Sequence, residues 1–278
     1  MNRQLKIILS AVLVCAVAIF VARAFWPKPS AKHKTPAKIV KKVKKTAPLV
    51  KKIQTPEAST PRITIILDDW GMNASLVEDA VAVGRPLTLS ILPHLAHSEE
   101  IAESAHAAGL GVMLHMPMQA KNLKAPRESR TIRTVSTDEE IARYLEEALS
   151  SVPFVQGVNN HQGSAATSDT RVMRTTLSYL KSKGLFFVDS RVIATSVGAK
   201  IAAETGLRFA SRDVFIDNVA TVEAISAQLR EAIRIARKKG NCIVIGHDKK
   251  VTLQAIRQMV PEIEKNGVKL VSVEDLLK

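Results

Sequence analysis

The stretch Ile63-Thr64-Ile65-Ile66-Leu67-Asp68-Asp69-Trp70-Gly71 joins an apolar, β-branched run to two adjacent aspartates. An apolar run of this length that ends in polar residues and glycine predicts a buried strand. In parallel α/β folds the chemistry lies at the carboxyl ends of the strands, where this strand would place its two aspartates. The stretch therefore predicts both an α/β fold and the position of a site within it.

Seven further apolar runs follow, and segments with helical periodicity lie between most of them. The predicted strands cover residues 63–67, 87–92, 111–115, 155–159, 185–189, 207–210, 242–246 and 268–271. Strand and helix alternate about seven times, which predicts a parallel (β/α) barrel or an open doubly wound sheet. The polar stretch over residues 119–136 has no clear period and is predicted to be a long loop over the strand ends.

Three signals predict where helices begin. Asn73 is expected to cap the first helix, and Ser168 to cap a helix over residues 170–183. Thr137 and Glu140 have the spacing of a capping box.

Residues 1–26 have the pattern of a targeting segment. Arg3 and Lys6 precede an uninterrupted apolar stretch over residues 7–22. As a helix, residues 5–26 would extend about 33 Å, enough to cross a bilayer, while Ala22-Arg23-Ala24 fits a small-x-small cleavage pattern. A signal anchor and a cleaved signal peptide therefore both remain open. Either predicts an exported, periplasmic or otherwise extracytoplasmic protein, and the anchor would hold it in the inner membrane.

The net charge of +14 is concentrated before the predicted folded domain. Residues 1–62 hold 14 basic residues and one acidic residue, whereas residues 63–278 are nearly neutral. The Lys/Pro-rich residues 27–61 predict a disordered linker, either a solvated spacer or a contact for anionic envelope polymers or lipid headgroups. Residues 62–278 are predicted to be the folded domain. Because that domain lacks concentrated positive charge, we expect no nucleic-acid partner.

Polar residues gather at the predicted carboxyl ends of several strands. The first strand ends in the aspartate pair, the third in His115 and the fourth in Asn159-Asn160-His161. One carboxylate and two imidazoles from separate strands form the ligand set of a catalytic Zn²⁺ or similar divalent ion with an open water position. We expect Asp69, His115 and His161 to be the metal ligands. Such an ion would suit hydrolysis of an amide or ester.

Two residues are candidates for moving protons beside this ion. Asp68 is the expected base, because one carboxylate cannot both ligate tightly and shuttle protons freely. His247, after the seventh predicted strand, is either the general acid or a structural strand end.

Four residues are candidates for binding substrate: His97, Asn160, Asp189 and Arg191. Alternatively, His97 would lie in the first turn of the next helix. Asp189 and Arg191 would alternatively pair only with each other.

Seven ordered motifs within residues 62–278 carry a resemblance to a known family. They are Ile-Leu-Asp68-Asp69-Trp-Gly, Leu-Thr-Leu-Ser-Ile-Leu-Pro with His97, Leu-His115-Met-Pro-Met, Gly-Val-Asn-Asn-His161-Gln-Gly-Ser, Phe-Phe-Val-Asp189-Ser-Arg, Arg-Asp-Val-Phe-Ile-Asp217-Asn and Ile-Gly-His247. In this order they resemble the divergent polysaccharide deacetylases, an envelope-associated bacterial branch of the carbohydrate esterases. The resemblance implies a deformed (β/α)7-type barrel of mainly parallel strands and metal-dependent removal of acetyl groups from a glycan.

The resemblance also implies roles for individual residues. In polysaccharide deacetylases the first motif supplies a base aspartate and a metal aspartate, which match Asp68 and Asp69. A His-x-x-x-His motif supplies two metal ligands, of which His115 matches the first. Gln119 stands where the second would be, so His161 is the candidate for that ligand.

The last motif also departs from the family. A catalytic histidine of the family is matched by His247, but Gly-His-Pro-His is replaced by Gly246-His247-Asp248-Lys249.

Two functions are therefore expected as alternatives. The first is a metal-dependent hydrolase, with zinc as the expected ion, that deacetylates peptidoglycan or another envelope polysaccharide. The second is a non-catalytic envelope glycan-binding or scaffold protein that keeps the deacetylase fold, which Gln119 and Lys249 favour.

Overall fold

The computed structural model describes residues 60–122, 124, 125, 128 and 130–277. The predicted targeting segment (residues 1–26) and nearly all of the predicted linker (residues 27–61) lie outside the described residues. Among the helices that are described, none is long and apolar enough to span a membrane.

The described part of the chain forms a nine-stranded sheet in which every strand pairing is parallel. The strands are β1 (Arg62–Trp70), β2 (Thr88–Ile91), β3 (Gly111–Met118), β4 (Gly157–Gln162), β5 (Phe186–Asp189), β6 (Phe209–Ser211), β7 (Val214–Phe215), β8 (Asn241–His247) and β9 (Lys269–Leu270). Their order is β6-β5-β4-β3-β2-β1-β8-β7, and β9 pairs with β1.

The two ends of this sheet are the two halves of one chain segment. Only Arg212 and Asp213 separate β6, which pairs with β5, from β7, which pairs with β8. The Arg212 N–H donates to the Asp189 carbonyl at 2.9 Å, and the Asp213 N–H donates to the Ile243 carbonyl at 2.8 Å. The sheet thus returns to itself through this segment. With β6 and β7 counted as one strand, the ring has seven strands, which confirms the predicted deformed (β/α)7-type barrel.

Helices connect most of the strands. They are α1 (Val77–Val81), α2 (Ser98–Ala107), α3 (Asp138–Ser151), α4 (Thr170–Ser182), α5 (Gly198–Thr205), α6 (Val222–Lys239), α7 (Lys250–Lys265) and α8 (Val273–Leu277), with a 3-10 turn over Ala166–Ser168.

One of the three predicted helix starts is confirmed and two are wrong. The capping box at α3 is present, with Thr137 and Glu140 each bonded to the other's backbone N–H. Asn73 does not cap α1, because its side chain accepts from the Ser75 N–H in a local turn and the helix begins at Val77. At α4 the cap is Asp169, which accepts from the Val172 N–H, while the Ser168 hydroxyl donates to the Ser164 carbonyl. Both errors come from short polar side chains that bond locally before the helix starts.

Two apolar cores lie on opposite faces of the sheet. The larger packs the helices against the outside of the ring. The smaller fills the interior with residues of β1, β3, β5 and β8 and includes Val271, Val273 and Leu276 from the carboxyl-terminal segment. The interior is tight, since a Cβ at Gly157 of β4 would lie 2.1 Å from the Phe186 ring.

Candidate active site

The apolar interior of the ring ends in polar side chains at the carboxyl ends of the strands. Side chains two positions apart on a strand share a face. The interior residues that precede the site are Ile66, Met113, Val188 and Ile245. The residues two positions further along the same strands or just beyond them are Asp68, His115, Ser190 and His247, which all line one cleft. Strand periodicity therefore explains why these side chains meet.

A bulge in β1 brings the second aspartate to the same cleft. Leu67 pairs with Leu89 but Trp70 pairs with Ile91, so β1 holds one extra residue over this interval. Asp69 has a φ of 69°, in the left-handed region that aspartate and asparagine tolerate better than most residues. In a regular strand adjacent residues face opposite sides. The bulge is what allows Asp68 and Asp69 to share the cleft.

Three donor atoms of Asp69, His115 and His161 form a compact triangle. The Asp69 Oδ1 atom lies 3.2 Å from His115 Nε2 and 3.0 Å from His161 Nδ1. The two imidazole nitrogens are 3.1 Å apart. The structure therefore brings together the three predicted metal ligands, from β1, β3 and β4.

Asn159 supports His115 of the triangle and also contacts Asp68. The His115 Nδ1–H donates to the Asn159 Oδ1 atom at 2.8 Å, and the Asn159 Nδ2 atom donates to Asp68 Oδ1 at 2.8 Å. With the proton of a neutral His115 on Nδ1, the Nε2 lone pair faces Asp69 and His161. This is the tautomer that a metal ligand requires.

The charges of the site raise and lower pKa values in opposite directions. Burial raises the pKa of Asp68, and the Asp69 carboxylate adds to that effect although His115 and Asn159 oppose it. Burial also acts to raise the pKa of Asp69, but the hydrogen bonds and charges of His115 and His161 outweigh it, so this pKa is lowered. Burial lowers the pKa of His115, but the two aspartates outweigh it and the pKa rises to about 9. The cluster thus favours a positive charge between its carboxylates, and a bound cation would compete with that proton.

The outer nitrogen of His161 faces a carboxylate from the loop between β3 and α3. His161 Nε2 lies 3.3 Å from Glu128 Oε1. A carboxylate on the second nitrogen of a ligating histidine fixes its ring orientation and raises its basicity. Glu128 therefore supports His161 as Asn159 supports His115.

His247 belongs to a separate pair on the other side of the cleft. Its Nδ1 atom lies 2.9 Å from Asp217 Oδ1, and its Nε2 atom points toward Asp69 Oδ2 at 3.7 Å. Asp217 also accepts from the Thr252 hydroxyl and lies 3.4 Å from Lys249 Nζ. Burial acts to raise the pKa of Asp217, but His247, Thr252 and Lys249 lower it to about 2. Burial acts to lower the pKa of His247, but Asp217, Asp69 and Asp68 raise it.

The triangle fits a divalent ion by donor type and by spacing. Donors about 2.0–2.2 Å from a tetrahedral ion lie roughly 3.3–3.6 Å apart, and the donor atoms here need to separate by only a few tenths of an ångström from their spacings of 3.0, 3.1 and 3.2 Å. A carboxylate with two imidazoles suits zinc or a similar ion. Asp69 and His161 remain partly exposed, so one side of the triangle opens into the cleft, whose volume is about 440 Å³.

Two of the predicted substrate-binding residues are part of the cleft or its immediate support. Asn160 lines the cleft, where its Oδ1 atom accepts from the Ser190 N–H at 2.9 Å. Asp189 is buried beside it and accepts from the Arg191 N–H and the Ser196 hydroxyl. Asp189 thus fixes the turn after β5.

The other two predicted substrate-binding residues do not line the cleft. His97 precedes α2 as its capping residue, and its Nδ1 atom lies 2.7 Å from Glu100 Oε2. This position is close to the predicted alternative, in which His97 lies in the first turn of the next helix. Arg191 is exposed, has a φ of 48° and contacts Asp189 through its backbone rather than through a side-chain ion pair.

Three residues that act on the site were given no role from the sequence alone. Asn159 stands at a predicted strand end, and its signal is that it shares the face of Gly157 and His161 on β4. Asp217 stood in a recognised motif but received no role, because the short strand β7 was not predicted. Glu128 lies in the loop predicted over residues 119–136 and has no local signal.

Comparisons with known proteins identify the family of this chain. Residues 65–277 match the family model described as divergent polysaccharide deacetylase. The uncharacterized protein YibQ of Escherichia coli is 32% identical over 216 residues, which is 78% of this chain and 67% of the relative.

Solved structures share the fold at low identity. An uncharacterized protein of Agrobacterium tumefaciens has a TM-score of 0.75 and 20% identity, covering 80% of this chain and 91% of that one. A CE4 family pseudoenzyme of Bacillus anthracis has a TM-score of 0.51 and 13% identity, covering 80% of this chain and 66% of that one. Because the family match spans most of the residues, this chain belongs to the divergent polysaccharide deacetylase family.

Proposed function

We propose that the protein is a metal-dependent hydrolase that removes acetyl groups from an envelope polysaccharide. The observation that carries this proposal is the triangle of Asp69, His115 and His161, whose three donor atoms face one another with support from Asn159 and Glu128. One carboxylate and two imidazoles in this arrangement can take up a divalent cation in place of a proton held between them. Zinc is the proposed ion.

In the hydrolysis of an acetyl group, two residues beside the triangle each carry out one proton transfer. A divalent ion in this position supplies polarisation of a carbonyl and acidification of water. Asp68, with its raised pKa, accepts a proton from the water that adds to the acetyl carbonyl. His247 gives a proton to the sugar nitrogen or oxygen as the bond to the acetyl carbon breaks. Acetate and the free amine or alcohol are the products.

Asp217 prepares His247 for this step. Its carboxylate bonds to Nδ1 and leaves Nε2 directed at the cleft. Because this pair raises the pKa of His247, it favours the protonated imidazole. Such a histidine is suited to act as a general acid.

The envelope location is also part of the proposal. The apolar residues 7–22, preceded by Arg3 and Lys6, support an exported protein held at the inner membrane, with its domain facing the polysaccharide. The substrate would then be peptidoglycan or another envelope glycan.

Glycan binding without turnover is the second candidate. Asp68 is 4% exposed and its Oδ1 atom is occupied by Asn159, so its observed contacts also suit a purely structural carboxylate. The fold is shared with a protein called a pseudoenzyme. In this case the cleft would hold a glycan but release no acetate.

The test is metal content and acetate release measured on the same full-length protein. We expect about one zinc or similar ion per chain by mass spectrometry, and acetate release from acetylated peptidoglycan fragments or chito-oligosaccharides. Asp69→Asn should lose both, whereas Asp79→Asn, on exposed helix α1, should lose neither. Glycan binding by a metal-free protein that releases no acetate would support the second candidate instead.

A further inference from the structure

Arg212 is a fixed cation in the wall of the cleft. It lies at the joint between β6 and β7 and lines the same cleft as the triangle. Its Nε–H donates to the Ser190 carbonyl at 2.7 Å, and its Nη2 atom donates to the Arg191 carbonyl at 3.1 Å. The guanidinium carbon lies 5.0 Å from the centre of the Phe215 ring. These contacts hold the guanidinium in one orientation.

These contacts use only one edge of the guanidinium. The fork formed by Nη1 and the second hydrogen of Nη2 has no hydrogen-bond partner among the described residues. Such a fork matches the two oxygens of a carboxylate.

The charge of Arg212 also has no ion-pair partner among the described residues. Exposed arginines such as Arg85 and Arg230 form ion pairs with Glu264 and Glu262. Arg212 is less exposed than these, yet it forms no ion pair with a described carboxylate. Burial and the nearby Arg191 lower its pKa, and the more distant carboxylates of Asp68 and Asp189 oppose this only in part; a guanidinium keeps its proton at neutral pH. Burying a cation that lacks a direct ion pair costs free energy, part of which a bound anion would recover.

The fork lies beside the reaction centre but outside it. Arg212 contacts Phe215, whose ring meets the His247 ring edge-on at a centroid distance of 5.2 Å. One aromatic ring therefore separates Arg212 from the proposed general acid. This position, one aromatic ring away from His247, suits contact with a neighbouring sugar unit of a polymer rather than with the acetyl group itself.

We infer that Arg212 binds the carboxylate of an acidic sugar next to the sugar that loses its acetyl group, an inference that rests on the proposed function. The substrate class is then an anionic glycan, with a uronic acid or a lactyl ether beside each acetylated unit. A neutral polymer such as chitin would leave the fork unpaired. Arg212 thus acts as a specificity residue for the deacetylation.

The test removes the carboxylate charges from the ligand and one positive charge from the protein. The probes are a tetrasaccharide that alternates N-acetylglucosamine and N-acetylmuramic acid, and the same tetrasaccharide with its carboxylates converted to methyl amides. Binding to the full-length protein is measured by calorimetry, and acetate release is measured on both probes. We expect the wild type to bind the charged probe roughly tenfold more tightly than the amide.

Three variants separate binding from folding. Arg212→Gln removes the charge and should abolish the preference for the charged probe. Arg212→Lys keeps the charge without the fork and should retain only part of it. Arg237→Gln removes the same charge from the outer helix α6 and should change nothing. Melting temperatures show whether each variant folds.

Each outcome supports or overturns the inference. Equal wild-type affinities for the two probes, no binding of the charged probe, or a preference that survives in folded Arg212→Gln would overturn it. Acetate release without a charge preference would leave the proposed function standing. Charge-dependent binding that Arg212→Gln removes, without acetate from either probe, would support the anion site and contradict the deacetylase function.

Discussion

The two sides of the cleft handle charge in different ways. On the side formed by β1, β3 and β4, Asp69, His115 and His161 direct their donor atoms at one another. On the opposite side, His247 and Asp217 form a pair in which an imidazole nitrogen faces a carboxylate oxygen at 2.9 Å. The first group places one carboxylate oxygen against two imidazole nitrogens, whereas the second pairs one imidazole with one carboxylate.

This difference indicates which ligand each side of the cleft would bind. The triangle needs a cation, supplied by a proton or an ion, because its donors otherwise repel. The Asp217–His247 pair needs only a substrate to which it can pass a proton. We therefore expect changes on the first side to alter metal binding, and changes on the second side to alter turnover alone.

The largest effect is expected from Asp69→Asn. The amide weakens ion binding and removes the charge that holds His115 and His161, so metal content should fall to background and acetate release by at least about a thousandfold. Asparagine tolerates the left-handed backbone of this position, so the variant should still fold, and a melting curve of the metal-free protein checks this. Mass spectrometry and an acetate assay measure both effects. Stoichiometric metal in the variant would contradict the assignment of Asp69.

Asp217→Asn should reduce turnover by about a hundredfold while the metal stays bound. Without the carboxylate, His247 loses the main group that raises its pKa, so less imidazolium is present at neutral pH. The falling alkaline limb of the pH–rate profile should move to lower pH. Loss of metal in this variant would show that the two sides of the cleft are not independent.

The stability contributed by the Asp217–His247 pair should depend on pH. Asp217, with its pKa lowered to about 2, contributes stability that is present above pH 4 and lost as the pH falls toward 2. His247, with a raised pKa, contributes stability that is present below its unfolded pKa and lost as the pH rises through its folded pKa.

Urea unfolding of chelated wild type and Asp217→Asn at pH 3, 5.5 and 9 tests this dependence. We expect a difference in free energy of unfolding of about 2 kcal/mol at pH 5.5 that narrows on both sides. A difference that stays constant across this range would mean that the pair is not charged in the folded state.

Glu128→Gln should weaken metal affinity by roughly tenfold, because an amide supports the His161 ring less strongly than a carboxylate does. Competition with a chromogenic chelator measures the affinity, and saturating metal should restore turnover. Glu139→Gln, on the exposed start of α3, is the matched control. An unchanged metal affinity in Glu128→Gln would mean that Glu128 does not support metal binding.

The smallest effect is expected from Lys249→Gln. The Lys249 side chain is 44% exposed at 3.4 Å from Asp217, so water screens much of its charge. Turnover should fall by less than about threefold, with Lys250→Gln as the control. A larger loss would make Lys249 a third member of the pair with His247.

The sequence was sufficient for the ring of strands and for the side chains that follow strand periodicity. Asp68, His115, His161 and His247 were predicted because each stands at the carboxyl end of an apolar run, and parallel strands bring those ends together. The departure at Gln119 was also visible. In the structure its Oε1 atom accepts from the Thr134 N–H at 2.8 Å and so ties the following loop.

What the sequence did not predict depends on backbone geometry or long-range contacts. Local pattern gives no sign of the bulge at Asp69, because the extra residue is defined by pairing with β2. The strand β7 is only two residues long and exists because β8 is available to pair with it. Glu128 reaches His161 from a loop across 33 positions of the chain.

Because the backbone at Asp69 is left-handed, some substitutions there can change the chemistry of the site while the fold is kept. A change from aspartate to asparagine meets little conformational resistance there, although it would remove the proposed metal ligand. A lineage could therefore lose catalysis in one step and still keep the barrel for selection to use in another way. β-Branched residues would strain this left-handed backbone, so selection for folding would act against them.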